Sequence, residues 1–262
     1  MNIIVCIKQV PASSKVEIDP ETGTLKRLGS DTKTNPYDLF AIETALTLKE
    51  RFGGTVTALT MGPPQAEAMM RDAYSMGIDE AVILSDRKFA GSDVLATSYT
   101  LAQGIRAVGH YDLIICGKQT TDGDTAQIGP AIAEHLGVPH TAWVSEITEV
   151  DESHIQVRQD LANVTQVSSM AFPCLITVDK DIYVPRLPSY RLQKATEGRK
   201  VRFLSFEDLR DKDLTRYGLV GSPTTVERIF APDKADEQIY LEGSAEEKAS
   251  QMAKVLKLKK FI

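Results

Sequence analysis

Along the first half of the chain, short apolar runs alternate with longer stretches in which apolar residues recur every three or four positions. Residues 3–7, Ile-Ile-Val-Cys-Ile, are too few for a core helix and uninterrupted enough for a strand buried on both faces, and 37–51 then carries helical spacing. The same pair of signals returns three times, as strand 56–60 with helix 65–76, strand 81–84 with helix 92–108, and strand 113–116 with helix 127–136. Strands that alternate with helices predict a mostly parallel sheet covered on both faces, the doubly wound α/β class. The punctuation agrees. Asn35-Pro36-Tyr37-Asp38 offers a capping side chain, a proline suited to the first helical position and an acid for the first turn, while Gly77, Gly109 and Gly137 stand where helices should end.

Beyond Pro139 the pattern changes to β-rich pieces at 142–150, 154–158 and 164–168, followed by an apolar strand at 174–178. The first two predict a hairpin excursion at the sheet's edge and the last a further parallel strand. From about residue 183 Pro, Arg and Lys accumulate, and after 208 apolar periodicity fades until a helix over 245–258. A stretch of that length without a core of its own points to packing on another chain. The expected organisation is an α/β domain over 1–205 and an extended C-terminal arm over 206–262 that packs on a partner subunit.

At 262 residues, 42% apolar and 25% charged, the chain has the composition of a globular protein with one sizeable core and an appendage. A net charge of −6 argues against a nucleic-acid partner, which would draw affinity from clustered Lys and Arg. The basic set Lys254, Lys257, Lys259 and Lys260 reads as a helix face. No apolar run reaches the roughly 18 to 20 residues of a membrane span, and Met1-Asn2 leads into the first strand without a basic leader. A cytoplasmic location without membrane insertion is therefore expected. Cys6, Cys116 and Cys174 each lie in a strand-like apolar run, and no C-x-x-C pair or helical histidine spacing occurs, so the cysteines are expected in the core and no metal is expected.

The chemistry concentrates after the fourth strand. Gly117-Lys118-Gln119-Thr120-Thr121-Asp122-Gly123-Asp124-Thr125-Ala126-Gln127 leads into the helix that opens at Ile128, with Gly129-Pro130 in its first turn. Unpaired N–H groups at a helix start suit a phosphate; the same loop also reads as a solvated connection that caps a helix. Lys118 comes too early for a P-loop lysine and no Lys-Ser or Lys-Thr closes the loop, so a bound nucleotide fits better than a hydrolysed one. Asp122 and Asp124 suggest hydrogen bonding to hydroxyl or N–H groups. In a doubly wound sheet the ligand sits beyond the carboxyl ends of the strands where their order reverses. If the first and fourth strands are neighbours there, Lys8-Gln9-Val10-Pro11 faces the 117–125 loop across one crevice, with Met61-Gly62-Pro63-Pro64 as its side wall. An ATP-using hydrolase or adenylating enzyme would want glycine and serine directly after the first strand, which Lys8-Gln9-Val10-Pro11 lacks.

Several of these segments together resemble a known family. Val5-Cys6-Ile7-Lys8-Gln9-Val10, Asn35-Pro36-Tyr37-Asp38 with Ala41-Ile42-Glu43, Met61-Gly62-Pro63, Met76-Gly77 with Asp79, and Gly117-Lys118-Gln119 with Asp122 and Asp124 are similar to the beta subunit of electron-transfer flavoprotein over roughly residues 1–205. The resemblance implies an adenine-nucleotide-binding α/β fold and a heterodimer with an alpha subunit that carries one FAD. It also implies a second nucleotide in the crevice of this chain: structural AMP in most members, a second FAD that accepts hydride from NADH in the electron-bifurcating branch. Carried over by position, the implied contacts are Cys6, Asn35, Pro36, Tyr37, Asp38, Met61 and the run from Gly117 to Ile128. Where the AMP-binding form usually reads Asn-Gln-Thr this chain has Ala126-Gln127-Ile128, which with Gly123 and Gly129-Pro130 resembles the bifurcating branch. Smaller side chains at 123 and 126 leave room for atoms beyond the first phosphate, so FAD is expected over AMP.

The same likeness implies that electrons pass to the alpha-subunit FAD and to a low-potential acceptor, ferredoxin or flavodoxin. Leu187, in Arg186-Leu187-Pro188-Ser189, matches the family's recognition-loop leucine that anchors a flavin-dependent dehydrogenase. The alternative is a redox-silent subunit that holds AMP and docks an acyl-CoA dehydrogenase. Asn35 is expected to cap its helix near the adenosine; Lys8 is either a surface lysine or a residue near the flavin. The family's Asp-Gly-Gly and Glu in the late hairpin are replaced here by Ala162-Asn163-Val164 and Gln166, ahead of Phe172-Pro173.

Overall fold

The computed structural model describes residues 1–12, 17–18, 25–26, 32–227 and 240–262. Two compact units divide the chain, one of Met1–Glu17 with Lys26–Glu227 and one of Ile18–Leu25 with Arg228–Ile262.

The first unit is built on strands β1 (Asn2–Cys6), β2 (Thr55–Met61), β3 (Glu80–Leu84) and β4 (Leu113–Gly117), joined by helices α1 (Pro36–Phe52), α2 (Glu67–Met76) and α3 (Val94–Val108). Helix α4 (Ile128–Leu136) leads on to β5 (His140–Val150), β6 (His154–Asp160), β7 (Thr165–Ala171) and β8 (Cys174–Val178). A short helix α5 (Tyr190–Thr196) and strand β9 (Arg202–Leu204) complete it. The nine strands form one sheet in the order β7-β6-β5-β8-β4-β1-β2-β3-β9. Its centre is parallel: β1 pairs with both β2 and β4, and β8 with both β4 and β5.

Each central strand serves two cores because its side chains alternate between faces. Ile3 and Val5 of β1 join one apolar cluster with α1 and α2, through Ala41, Ile42, Met69 and Met70. Ile4 and Cys6 join the other with α3 and α4, through Tyr99, Ile105, Ile132 and Ala133. All three cysteines are buried. Pro36 opens α1, Asp93 caps α3 by accepting from the Ala96 N–H at 3.1 Å, and Gly137 ends α4 in the left-handed region at φ +71°.

β5 and β6 form the antiparallel hairpin expected at the edge, and β7 extends it into a three-stranded meander. β8 enters the parallel sheet between β4 and β5, also as expected. The first unit runs past residue 205, the expected boundary: Phe206, Leu209 and Tyr217 are buried against the α3 side of the sheet, and the Tyr217 hydroxyl donates to the Asp211 carbonyl at 2.9 Å. In the second unit, α6 (Ala245–Leu258) starts with a capping box between Ser244 and Glu247 and has no buried residue; Lys254 and Lys257 lie on it, exposed. No helix among the described residues is long and apolar enough to cross a membrane.

Candidate nucleotide site at the strand-order reversal

The chain runs outward from β1 to β2 and β3, then returns to the other side of β1 with β4, so the strand order reverses between β1 and β4. Cys6 and Cys116 are register partners there, and the segments after both strands leave the sheet at the same end. Lys8 and the 117–125 loop do meet: Lys8 Nζ binds the Asp122 carboxylate at 2.7 and 2.9 Å. Burial alone would raise the Asp122 carboxyl, but hydrogen bonds from Lys8 and Thr120 and the Lys8 charge hold it below the usual carboxylate range. Asp124 is engaged by the Gln119 side-chain amide. Both acids of the loop thus have partners of this chain's own.

Asn35 departs from the expected helix cap. Its side chain makes no capping bond to α1; fully buried, it donates from Nδ2 to the Gln119 carbonyl at 2.8 Å and accepts from the Thr121 N–H at 3.2 Å. A carboxamide has one donor end and one acceptor end, which match the two backbone groups of an extended loop, while Pro36, lacking an N–H, leaves α1 one donor fewer to cap. The Asn35 N–H donates in turn to the Lys8 carbonyl at 2.9 Å. Asn35 therefore ties the segment after β1 to the loop after β4.

Asp38 lies beneath that tie. It is 5% exposed and accepts from the Lys8 N–H at 2.7 Å. Burial pushes its carboxyl up to about 7, against hydrogen bonds from Asn35, Lys8 and Gly117 that favour the charged form. Gly117 is glycine for space: a Cβ there would overlap Asp38 Oδ1 and the Tyr37 backbone.

The loop then curls into α4 through two left-handed residues, Asp124 at φ +51° and Ala126 at φ +54°. It is braced from within by Thr120, whose carbonyl accepts the Asp124 N–H at 3.0 Å and whose hydroxyl accepts the Gly123 N–H at 3.3 Å. Gln127 precedes α4 without a side-chain cap, so the leading N–H groups of the helix keep their positive character for an anion. At Gly129 a Cβ would overlap Thr177 Cγ2 and stand 3.7 Å from Cys116 Cβ; the first turn of α4 rests directly on the ends of β8 and β4. Met61 is half-buried at the end of β2, two strands from β4.

Two features had no signal in the sequence. Lys118 Nζ pairs with Asp179 at 2.9 Å and lies 5.0 Å from the Trp143 ring centroid. Trp143, in turn, holds φ +57° at a break in the β5–β8 register, its N–H donating to Thr177 Oγ1 at 2.9 Å. A period-2 pattern cannot announce a register break, and Asp179 follows an apolar strand as any polar residue might.

Leu187 belongs to a different surface. It is 86% exposed, and its neighbour Arg186 is held on the flank of α1: the guanidinium donates to both Glu43 oxygens at 2.8 Å and to Glu50 at 2.6 Å. A separate cleft of about 480 Å³ lies between α2 and α5, lined by Arg71, Tyr74, Tyr190 and Lys194 among others. None of the strand-end residues is among those that line it, and the chemistry gathers at the reversal.

Residues 22–207 match the family model of the electron transfer flavoprotein domain. The chain belongs to the electron transfer flavoprotein family. It is 45% identical over 256 residues to the protein FixA of Bradyrhizobium diazoefficiens, covering 95% of this chain and 88% of that one. It is 40% identical over 262 residues to the electron transfer flavoprotein subunit beta of Clostridium acetobutylicum, with 100% of both chains covered. The subunit beta of Megasphaera elsdenii is 42% identical over 239 residues, 88% of each chain. Within this electron transfer flavoprotein chain, the described residues of the family match include the crevice from Asn35 to Ile128 and the Leu187 segment.

Proposed function

We propose that the chain is the beta subunit of a heterodimeric electron transfer flavoprotein and holds FAD in the crevice between the ends of β1 and β4. The observation that carries this reading is the start of α4, an uncapped helix terminus set against β4 and β8 through Gly129 and approached by a turn whose only side-chain atom at 126 is a methyl. Such a terminus favours a phosphate, and the absence of bulk at 123 and 126 suits a pyrophosphate that continues into a flavin. The names of the relatives, several of them subunit beta, support an alpha-subunit partner.

When bound, FAD supplies hydride acceptance from NADH and single-electron delivery, toward the alpha-subunit FAD and toward ferredoxin or flavodoxin. The chain's own residues bind and orient. Asn35 fixes the position of the loop, the N–H groups from Ala126 to Gly129 receive the pyrophosphate, Thr125 and Gln127 add short polar contacts, and Lys8 with Asp122 closes one side. Cys6 and Met61 provide apolar walls at the strand ends. No side chain is asked to act as nucleophile or base. Leu187, presented by the Arg186 anchor, docks the flavin-dependent dehydrogenase.

Chromatographic identification of the nucleotides released on denaturing the purified heterodimer tests this reading. Two flavins per heterodimer are expected. One flavin with one AMP would replace the second-flavin assignment with the structural-nucleotide alternative, and turnover of added ATP would favour a different class altogether.

A further inference from the structure

The crevice has a floor as well as walls, and the floor contains a carboxyl group with no solvent of its own. Asp38 lies in the first turn of α1, on the side of the sheet away from α4, where the ends of β1 and β4 pass over it. It accepts the backbone N–H of Lys8 at 2.7 Å, and the backbone N–H of Gly117 and the side chain of Asn35 favour its charged form. Those three donors belong to the segments that form the two sides of the crevice and to the residue that ties them together.

We propose that Asp38 is a positioning residue for the nucleotide, its carboxylate drawing the Lys8 and Gly117 segments to the spacing that bound nucleotide requires, so that protonation of Asp38 loosens the crevice and speeds release. This rests on the reading that a nucleotide occupies the crevice, and adds to it a control by proton concentration. The physical basis is the donor set. An ionised carboxylate only accepts hydrogen bonds, and all of Asp38's partners donate; the neutral acid must place an O–H among N–H donors, and at least one of those bonds weakens.

The charged and titratable surroundings favour an effect within the working range. The Lys8 ammonium, itself paired with Asp122, stabilises the carboxylate, and the buried Cys116 thiol on β4 is held neutral. Burial opposes the carboxylate and lifts its titration to about 7. A phosphate at the start of α4 lies across the sheet from Asp38, so the donor geometry, rather than repulsion between anions, sets the direction.

The experiment uses the purified heterodimer and the nucleotide that chromatography identifies in it, FAD or AMP. Its dissociation is followed by gel filtration after dilution at a series of pH values. In the natural chain the release rate is expected to rise about tenfold from pH 8 to pH 6, with a midpoint near neutrality, the size one linked proton supplies. Asp38→Asn, a permanently uncharged side chain, should release at pH 8 as fast as the natural chain does at pH 6 and show no pH dependence between them. A merely structural role would lower thermal stability in the variant yet leave the pH profile parallel to that of the natural chain.

Asn35→Ala provides a second readout should Asp38→Asn fail to fold. Loss of a donor that favours the charged form must move the midpoint to higher pH. A flat profile in the natural chain with nucleotide bound, a profile of opposite sign, or a midpoint unmoved by Asn35→Ala overturns the inference while sparing the nucleotide reading. A heterodimer with no nucleotide in this crevice overturns both.

Discussion

Ala126 holds a backbone conformation that suits asparagine better than alanine. At φ +54° a Cβ-bearing residue in the left-handed region costs about 1 kcal/mol, and Asn is among the side chains that tolerate it. Ala126→Asn is therefore expected to leave urea-unfolding stability unchanged or raised by up to about 1 kcal/mol while reducing flavin content at this crevice several-fold. The alpha-subunit flavin should stay bound, so equal loss of both flavins would count against the assignment of the pocket. A second residue-scale expectation concerns Asp38. Its folded-state titration is raised from 3.8 to about 7, so its contribution to fold stability is fully present below the unfolded value and is lost as pH rises through about 7. The unfolding free energy of the natural chain, from denaturant titration, should thus fall between about pH 4 and pH 7, relative to Asp38→Asn, by several kcal/mol at about 1.4 kcal/mol per unit. Parallel curves for the two proteins would contradict the shift.

At the scale of elements, the first turn of α4 depends on Gly129 for its approach to β8. A methyl at that position overlaps Thr177, and Gly129→Ala should cost about 1–3 kcal/mol through overpacking while lowering nucleotide occupancy, because the helix start has to withdraw. Thermal unfolding together with a cofactor count separates the two effects. The loop that carries Leu187 depends likewise on one anchor. Glu43, nearly buried, receives three N–H groups of Arg186, and Arg186→Ala should reduce electron delivery to the dehydrogenase as Leu187→Ala does, with cofactor content unaltered; normal delivery in both variants would sink the docking role.

These elements differ in how far they could be read beforehand. β1 to β4 and α1 to α4 were legible because each strand is a short apolar run buried on both faces, and the longer stretches between them carry apolar residues at helical spacing with glycine and proline at their ends. The crevice was conditional on the first and fourth strands being neighbours, which alternation alone does not dictate and which the sheet order supplies. The role of Asn35 was not legible: before a proline, at a helix start, an asparagine signals a cap, and only the folded loop supplies the carbonyl and N–H that compete for it. Phe206, Leu209 and Tyr217 were missed for a different reason. They enter the core from turns and short 3₁₀ segments, which impose no period on apolar residues.

Over the whole molecule, the family match and the close relatives extend across most of the chain, yet its two units are built on different terms. The first carries two apolar clusters on either side of one sheet. The second contributes α6, a 14-residue helix with a capping box and no buried residue, followed by exposed Phe261 and Ile262. An isolated helix of that length is marginal in water, so its apolar positions are expected to be stabilised by the alpha subunit. Deleting 240–262 should leave the unfolding midpoint of the first unit within about 2 °C, on the scale where 1 kcal/mol is worth a few degrees, and should shift the complex toward separate chains in size-exclusion chromatography. Retention of the full heterodimer would place the contact elsewhere.

Trp143 gives the molecule a lamp of its own. It is the chain's single tryptophan, and the ammonium of Lys118, at the head of the crevice loop, stands over its ring. Any rearrangement that carries Lys118 away changes the electric field at the indole and with it the colour of its emission. The difference spectrum between the natural complex and a Trp143→Phe complex therefore turns the state of the loop into an optical signal, in real time and without an attached dye.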